Sequence, residues 1–403
     1  TLVAIAALAA FGAQAQSSVQ LDGIADAGYQ AINYKGNSVG GFGGNGSSTS
    51  QLNVRGTEDL GGGLKASFRV ETDWNMVSNK ANTGFVNATN TTATTTSIAA
   101  PVTLANANSG GGTFGNGELR VGLAGSFGEV QIGSPNNLTL DANTTGQSFG
   151  TAIGSGFRGV TRTDSGAMGA SVVRFDNAIK YMTPAYSGVS GSIYYVKKNA
   201  APTSGTAATS STISQAYDFT TAVGAFDYAG IQELSVKYAN GPLNAIFVNQ
   251  KTDAFDIAGL TGSAGFTKRN LNTLGVNYTF GATTAYFHNQ TFKSETSAGV
   301  TASETAFTAV GAKYVTGAHT FMAQTGSYQF KATNSTTQAT IDLVGKKSKL
   351  MSVGYDYNLS KTSAVYARYE SINDEAGAIT KVATIDGTDT KRTRTALGLR
   401  VAF

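Results

Sequence analysis

The sequence predicts an all-β fold, a sixteen-stranded antiparallel transmembrane β-barrel, on three observations. Apolar and polar residues alternate with a period of two in segment after segment. Connections between these segments are alternately short and long. The first fifteen residues have the form of an export signal.

The stretch Arg392 to Phe403 shows the alternation. Thr393, Thr395, Leu397, Leu399, Val401 and Phe403 share one face, and Arg392, Arg394, Ala396, Gly398, Arg400 and Ala402 share the other, because successive side chains of a strand point to opposite sides. An edge strand of a soluble sandwich would alternate in the same way. Phe403, however, stands where the aromatic girdle of a membrane barrel falls. Composition agrees: 50 Gly, 17 Tyr and 21 Phe against 5 Pro and 13% charged residues describe many strands and tight turns in a single domain. Without cysteine there is neither a disulfide framework nor a thiolate site.

At the N-terminus, Leu2 to Phe11 are apolar and Ala13-Gln14-Ala15 is a small-x-small cleavage site, so residues 1–15 read as a secretory signal peptide and 16–403 as the barrel domain. No run approaches the ~18 apolar residues of a membrane-spanning helix. The first strand runs from about Val19 to Tyr34, and Gly40 to Gly46 (GGFGGNG) reads as a flexible loop. It lacks the Lys and Ser/Thr of a phosphate-binding loop. Gln51 to Glu58 and Leu64 to Trp74 follow, the latter with Lys65, Ser67, Arg69, Glu71 and Asp73 on one face and Ala66, Phe68, Val70, Thr72 and Trp74 on the other. A Lys or Arg facing mid-bilayer lipid costs roughly 2–4 kcal/mol, so the charged face is expected to point inward.

Asn75 to Gly117 is a long loop with one Lys. Strands at Glu118 to Ala124 and Glu129 to Gly133 precede a second long non-periodic segment, Ser134 to Ser171, which carries Asp141, Arg158, Arg162 and Asp164. The next strand, from Val172, is expected to set Arg174, Asp176 and Lys180 opposite Val173, Phe175, Ile179 and Tyr181, with Asn177 interrupting the apolar face. Strands follow at 188–197, 231–240, 242–251, 271–280, 283–293, 305–315, 318–330, 347–358, 362–373 and 392–403, which makes sixteen. The faces at Leu243 to Lys251 and His319 to Phe330 stay open, and Lys268 and Arg269 fall in an outer loop. PAYSG, NGP, FGAT, TGA and LSK form the short connections, so tight turns gather at one end and long polar loops at the other.

Three stretches, RGTEDLGGGLKASF (Arg55 to Phe68), VGLAGSFGEVQIG (Val121 to Gly133) and RFDNAIKYMTPAYSG (Arg174 to Gly188), with repeated YxxG-type hairpins and the terminal Phe403, resemble the general porins of Gram-negative outer membranes, in their β-proteobacterial form. The resemblance covers the mature chain. It implies a homotrimer in the outer membrane, in contact with lipid and lipopolysaccharide, each barrel holding a water-filled pore for passive diffusion of small hydrophilic solutes and ions. It also implies a pore narrowed by the third outer loop, here Ser134 to Ser171, and no cofactor. Where the family commonly carries Arg-Gln after the strand ending at Gly133, this chain has Ser134-Pro135, so one usual basic pore residue is absent.

If the Phe403 face meets lipid, Arg55, Arg69, Arg120, Arg174 and Lys180 point into the pore, joined at the constriction by Asp141, Arg158 and Asp164. Such a wall favours anions mildly, because Glu71, Asp73, Glu118 and Asp176 share the face. The alternative is that the arginines pair with these carboxylates and only keep the wall polar. Other chemistry is poorly supported. The two histidines, His288 and His319, lie on different hairpins and supply no catalytic constellation. Asp141, Asn143 and Gly146 lack the remaining ligands of a calcium loop, and the basic residues behind the net charge of +4 form no nucleic-acid patch. A solute-specific outer-membrane channel, or a surface adhesin or structural protein, would use the same barrel. Phe403 is the expected assembly signal. Its deletion should abolish most of the heat-resistant trimer on a semi-native gel, and wild-type levels would contradict that role.

Overall fold

The computed structural model describes residues 17–34, 37–74, 76–77, 114–156, 173–197, 230–253, 266–296, 298–336, 341–375 and 391–403. The expected signal peptide, Arg158 and Asp164 lie outside these residues. The strands are β1 (Ser18–Tyr34), β2 (Asn37–Gly44), β3 (Gln51–Gly61), β4 (Leu64–Asp73), β5 (Leu119–Gly125), β6 (Gly128–Ser134), β7 (Ala178–Met182), β8 (Val189–Val196), β9 (Gly230–Asn240) and β10 (Leu243–Asp253), then β11 (Phe266–Phe280), β12 (Thr283–Thr296), β13 (Thr301–Thr316), β14 (His319–Thr333), β15 (Lys347–Asn358), β16 (Ser363–Asp374) and β17 (Lys391–Ala402). Among the described residues one helix, α1 (Leu138–Gly146), interrupts them.

Every neighbouring pair is antiparallel, and the sheet closes where β17 pairs with β1, from Ala402 opposite Ile24 to Arg392 opposite Tyr34. On its other edge β1 pairs with β3 over Ser18–Ile24 and with β2 over Ala27–Tyr34, so β2 and β3 share one wall position and the barrel has sixteen. Phe403 completes the seam: its N–H donates to the Gly23 carbonyl at 3.1 Å, and Gly23 N–H donates back at 3.0 Å. The tight turns use glycine for left-handed backbone, with φ of 56° at Gly241 and 57° at Gly281, as hairpin twist demands.

The exposed large apolar residues fall on one parity, among them Val19 and Leu21, Val121 and Leu123, Leu234 and Val236, Met351 and Val353, and Leu397 and Leu399. That face is the lipid face. The opposite parity carries Asp26, Glu71, Glu233, Gln324, Glu370 and the three arginines of β17.

Four expectations change. The glycine-rich stretch at Gly40 is strand, not loop: β2 pairs with β1 from Asn37 opposite Tyr34 to Gly44 opposite Ala27, with Gly40 directly beneath the Tyr29 hydroxyl. The strand expected from Val172 begins at Ala178. Asn177 has φ of 56° in the turn before it, which places Phe175 inside at 3% exposure and Arg174 in an isolated bridge to Asn136. Lys268 and Arg269 belong to β11, which extends past the apolar band, and Arg269 is buried on the inner parity opposite Thr252. The non-periodic segment after Ser134 contains α1, which places Asp141 in a helical first turn.

Candidate functional site

Of the segment between β6 and β7, residues 135–156 turn into the barrel. Its two ends are held together at a neck, where Asn137 N–H donates to the Val173 carbonyl at 2.9 Å. The buried Tyr194 hydroxyl accepts from Phe175 N–H, and its single proton is shared between the carbonyls of Phe175 at 3.0 Å and Pro135 at 3.1 Å. From this neck the chain crosses to the far wall.

Nine residues are too few for a stable isolated helix, so α1 depends on its caps and contacts. Asn137 caps it by accepting from Leu140 N–H at 2.9 Å. The wall supplies a second cap. Glu233 of β9, fully buried, accepts from the N–H groups of Leu138 and Thr139 and, at 2.6 Å, from the Thr139 hydroxyl, while Gln250 of β10 donates to it at 2.7 Å. A carboxylate at the positive end of a helix both pairs orphan donors and opposes the helix dipole. Below it Leu138 and Ala142 join Val196, Ile231, Ile246 and Val248 in one cluster. At the far end His288 Nε2–H donates to Asn143 Oδ1 at 2.8 Å, and Asn277 donates to the Thr145 carbonyl.

Beyond α1 the chain continues across β13 to β17. Gln324 Oε1 accepts from Ser148 N–H, and its amide donates to the Ser155 carbonyl. Glu370 accepts from Gly154 N–H at 3.0 Å while Arg392 pairs with it at 2.7 Å. Ile153 packs with Tyr366 and Ala396. A second, smaller intrusion adjoins it: the turn between β2 and β3 wraps around Asp26, whose carboxylate accepts from the N–H groups of Ser47 and Ser48 and from the Tyr366 hydroxyl at 2.6 Å. Arg368 links the two, donating to Ser47 Oγ with its guanidinium 5.9 Å from the Phe149 ring.

Of the basic residues singled out from the sequence, Arg55, Arg69, Arg120 and Lys180 lie on the inner parity and Arg174 at the neck, and each of these five is paired. Arg55 contacts Asp22 at 2.8 Å, Arg69 contacts Glu71 and Glu118, and Arg120 contacts Glu118 and Glu129. Arg174 holds Glu71 and Asp73 from the neck, and Lys180 lies 3.4 Å from Asp141 on α1. Burial raises the Asp176 carboxyl above its usual range, against the opposing hydrogen bond from Ser134. Each of these five cations thus has a carboxylate within 4 Å. Arg55, at 52% side-chain exposure, is the most open of these cations. Sequence reasoning missed Glu233, Gln324, Glu370 and Arg368. It placed Arg392, Arg394 and Arg400 on the face opposite Phe403 but gave them no role, although that parity is the inner one.

A family model described as Gram-negative porin matches residues 1–377. The outer membrane porin protein 32 of Delftia acidovorans is 29% identical over 379 residues, covering 91% of this chain and 87% of that protein. Among solved structures, an anion-selective porin from Comamonas acidovorans superposes with a TM-score of 0.68 at 26% identity, covering 96% of this chain and all of that one. The trimer form of OmpT from Vibrio cholerae shares the fold at 14% identity, with a TM-score of 0.59 and coverage of 96% and 99%.

The Glu233 cap yields a test of how α1 is held. In Glu233→Ala, the N–H groups of Leu138 and Thr139 lose a charged acceptor in a buried site, a loss of about 2–3 kcal/mol. A Leu138→Cys thiol, buried in the parent, should then react with a water-soluble maleimide at least tenfold faster. An unchanged rate would show that Glu233 does not hold the helix.

Proposed function

Because the chain belongs to the Gram-negative porin family, its barrel is an outer-membrane channel for passive diffusion, and we propose that small hydrophilic solutes and ions pass through a lumen narrowed by the segment 135–156. The observation that carries this reading is that segment's course, from the neck at Tyr194 to Glu370 on the opposite wall, along inner-parity side chains such as Gln324. A loop tied to both sides of a lumen leaves solutes only the space beside it.

In this reading Arg69, Arg120, Arg174, Lys180 and Asp141 form a largely self-neutralised side of the passage, while Arg55 stays half exposed beside Asp22. A mild preference for anions comes from cations that keep access to the lumen, chiefly Arg55 and Arg400. The similarity to an anion-selective porin supports that sign. Low-dielectric walls focus the field of such charges on a passing ion, whereas charges beyond the mouths are screened within about 10 Å at 0.1 M salt. Arg174 is unsuited to a charge-reversal test, since a Glu there would face Glu71 and Asp73.

The barrel acts as a homotrimer in this proposal, and strand length supports the position of the contact. The strands β5, β6, β7 and β8 have only 7, 7, 5 and 8 residues. At about 3.4 Å per residue and a tilt near 45°, such strands cover roughly 12–19 Å of an apolar band about 25 Å tall. Their outer face still shows Val121, Ile132, Ile179 and Ile193, which a second copy would cover.

Selectivity tests the charge assignment. Arg55→Glu with Arg400→Glu should move the reversal potential in a KCl gradient toward cations, and by more than Lys268→Glu with Lys361→Glu. Equal shifts from the two double variants would contradict the placement of selectivity at Arg55 and Arg400.

A further inference from the structure

We propose that three glycines of the barrel wall, Gly275, Gly311 and Gly354, set the width of the channel without lining it, by letting the inward segment sink into the wall. All three lie on the inner parity. Gly275 pairs across β10 and β12 with Ile246 and His288, Gly311 with Tyr286 and Gln324, and Gly354 with Met322 and Arg368. Flanked by large side chains, they form a track of low points from β11 through β13 to β15.

The segment occupies that track. A Cβ on Gly275 would lie 2.1 Å from the Ala142 carbonyl oxygen and 2.9 Å from Gly146 N, both backbone atoms of α1. From the other side, a Cβ on Gly146 would lie 2.8 Å from the Gly275 Cα, so helix and strand meet glycine to glycine. On Gly311 a Cβ would meet Ser148 Oγ at 2.7 Å, and on Gly354 it would meet the Phe149 ring at 2.5 Å. Three successive contacts of one segment thus fall where a wall Cβ is absent, on alternate strands, against backbone at Gly275 and against side chains at Gly311 and Gly354.

Glycine is a costly choice in a strand interior, where it offers no side chain to pack and loses the most backbone entropy. Its gain at these positions is depth. Close-packed atoms do not compress, so a methyl group at Gly275 moves the carbonyl of Ala142 off the wall, and the only free direction is toward the pore axis. The anchors at Glu233, Gln324 and Glu370 keep the segment from leaving altogether. Gly275, Gly311 and Gly354 are therefore positioning residues for permeation.

The proposal rests on the diffusion-channel reading, and the wild-type trace separates the two: if purified wild-type protein gives no conductance steps in a planar bilayer, the channel reading itself fails. Given wild-type steps, Gly275→Ala, Gly311→Ala and Gly354→Ala should each lower single-channel conductance and the largest neutral sugar admitted in liposome swelling. Gly191→Ala, whose nearest contact is 3.6 Å away, should match wild type. If Gly275→Ala does not fold, Gly354→Ala carries the test, because its neighbour is a movable ring. In a Phe149→Ala background, Gly354→Ala should have no further effect, a rescue that general loss of stability would not produce. Unchanged conductance in folded Gly→Ala proteins overturns the proposal. So does increased conductance, which would mean that the segment is expelled, or an equal loss with and without Phe149.

Discussion

A chain that folds back through its own barrel must be matched, residue by residue, by the wall it crosses. This constraint explains an inner surface that would be improbable in an empty pore. Ile231, Ile246 and Val248 point inward, where water would otherwise meet them; Leu138 and Ala142 of α1 cover them instead. Burying a side chain of this size is worth roughly 1.5–3 kcal/mol. Helix and wall depend on one another, since the helix is too short to persist alone and the wall residues are too apolar to stay uncovered.

The same constraint governs the charges. Arg69, Arg120 and Arg174 are interleaved with Glu71, Asp73, Glu118 and Glu129 around the neck of the inward segment. Pairing at partly buried positions fixes geometry more than it adds stability, because desolvation offsets much of the Coulomb attraction. The neck is thereby held without leaving a strong net field on that side. Arg55 differs from them in its exposure, with 52% of its side chain open.

Much of the barrel was legible in the sequence because a membrane wall imposes a period of two and short turns impose glycine. The sixteen positions and the strand at 392–403 with its two faces followed from those rules. The reading failed where a third environment intervened. Leu243 to Lys251 and His319 to Phe330 gave no clear face because their inner residues, such as Val248 and Tyr328, are as apolar as their outer ones. Phe175 was placed outside because alternation was carried through Asn177, whose left-handed backbone breaks it. Lys268 and Arg269 read as loop because a strand beyond the bilayer no longer needs an apolar face. Glu233 and Glu370 carried no local signal at all: their partners, Leu138 and Gly154, are distant in the chain and meet them only once the segment enters the barrel.

The central claim is that the segment inside the lumen, and not the barrel itself, limits passage. Single-channel conductance of a variant in which residues 145–163 are replaced by a short Gly-Ser link tests it most directly. The account predicts larger conductance steps than wild type from barrels that fold and assemble normally. Unchanged or smaller steps from such barrels would contradict it.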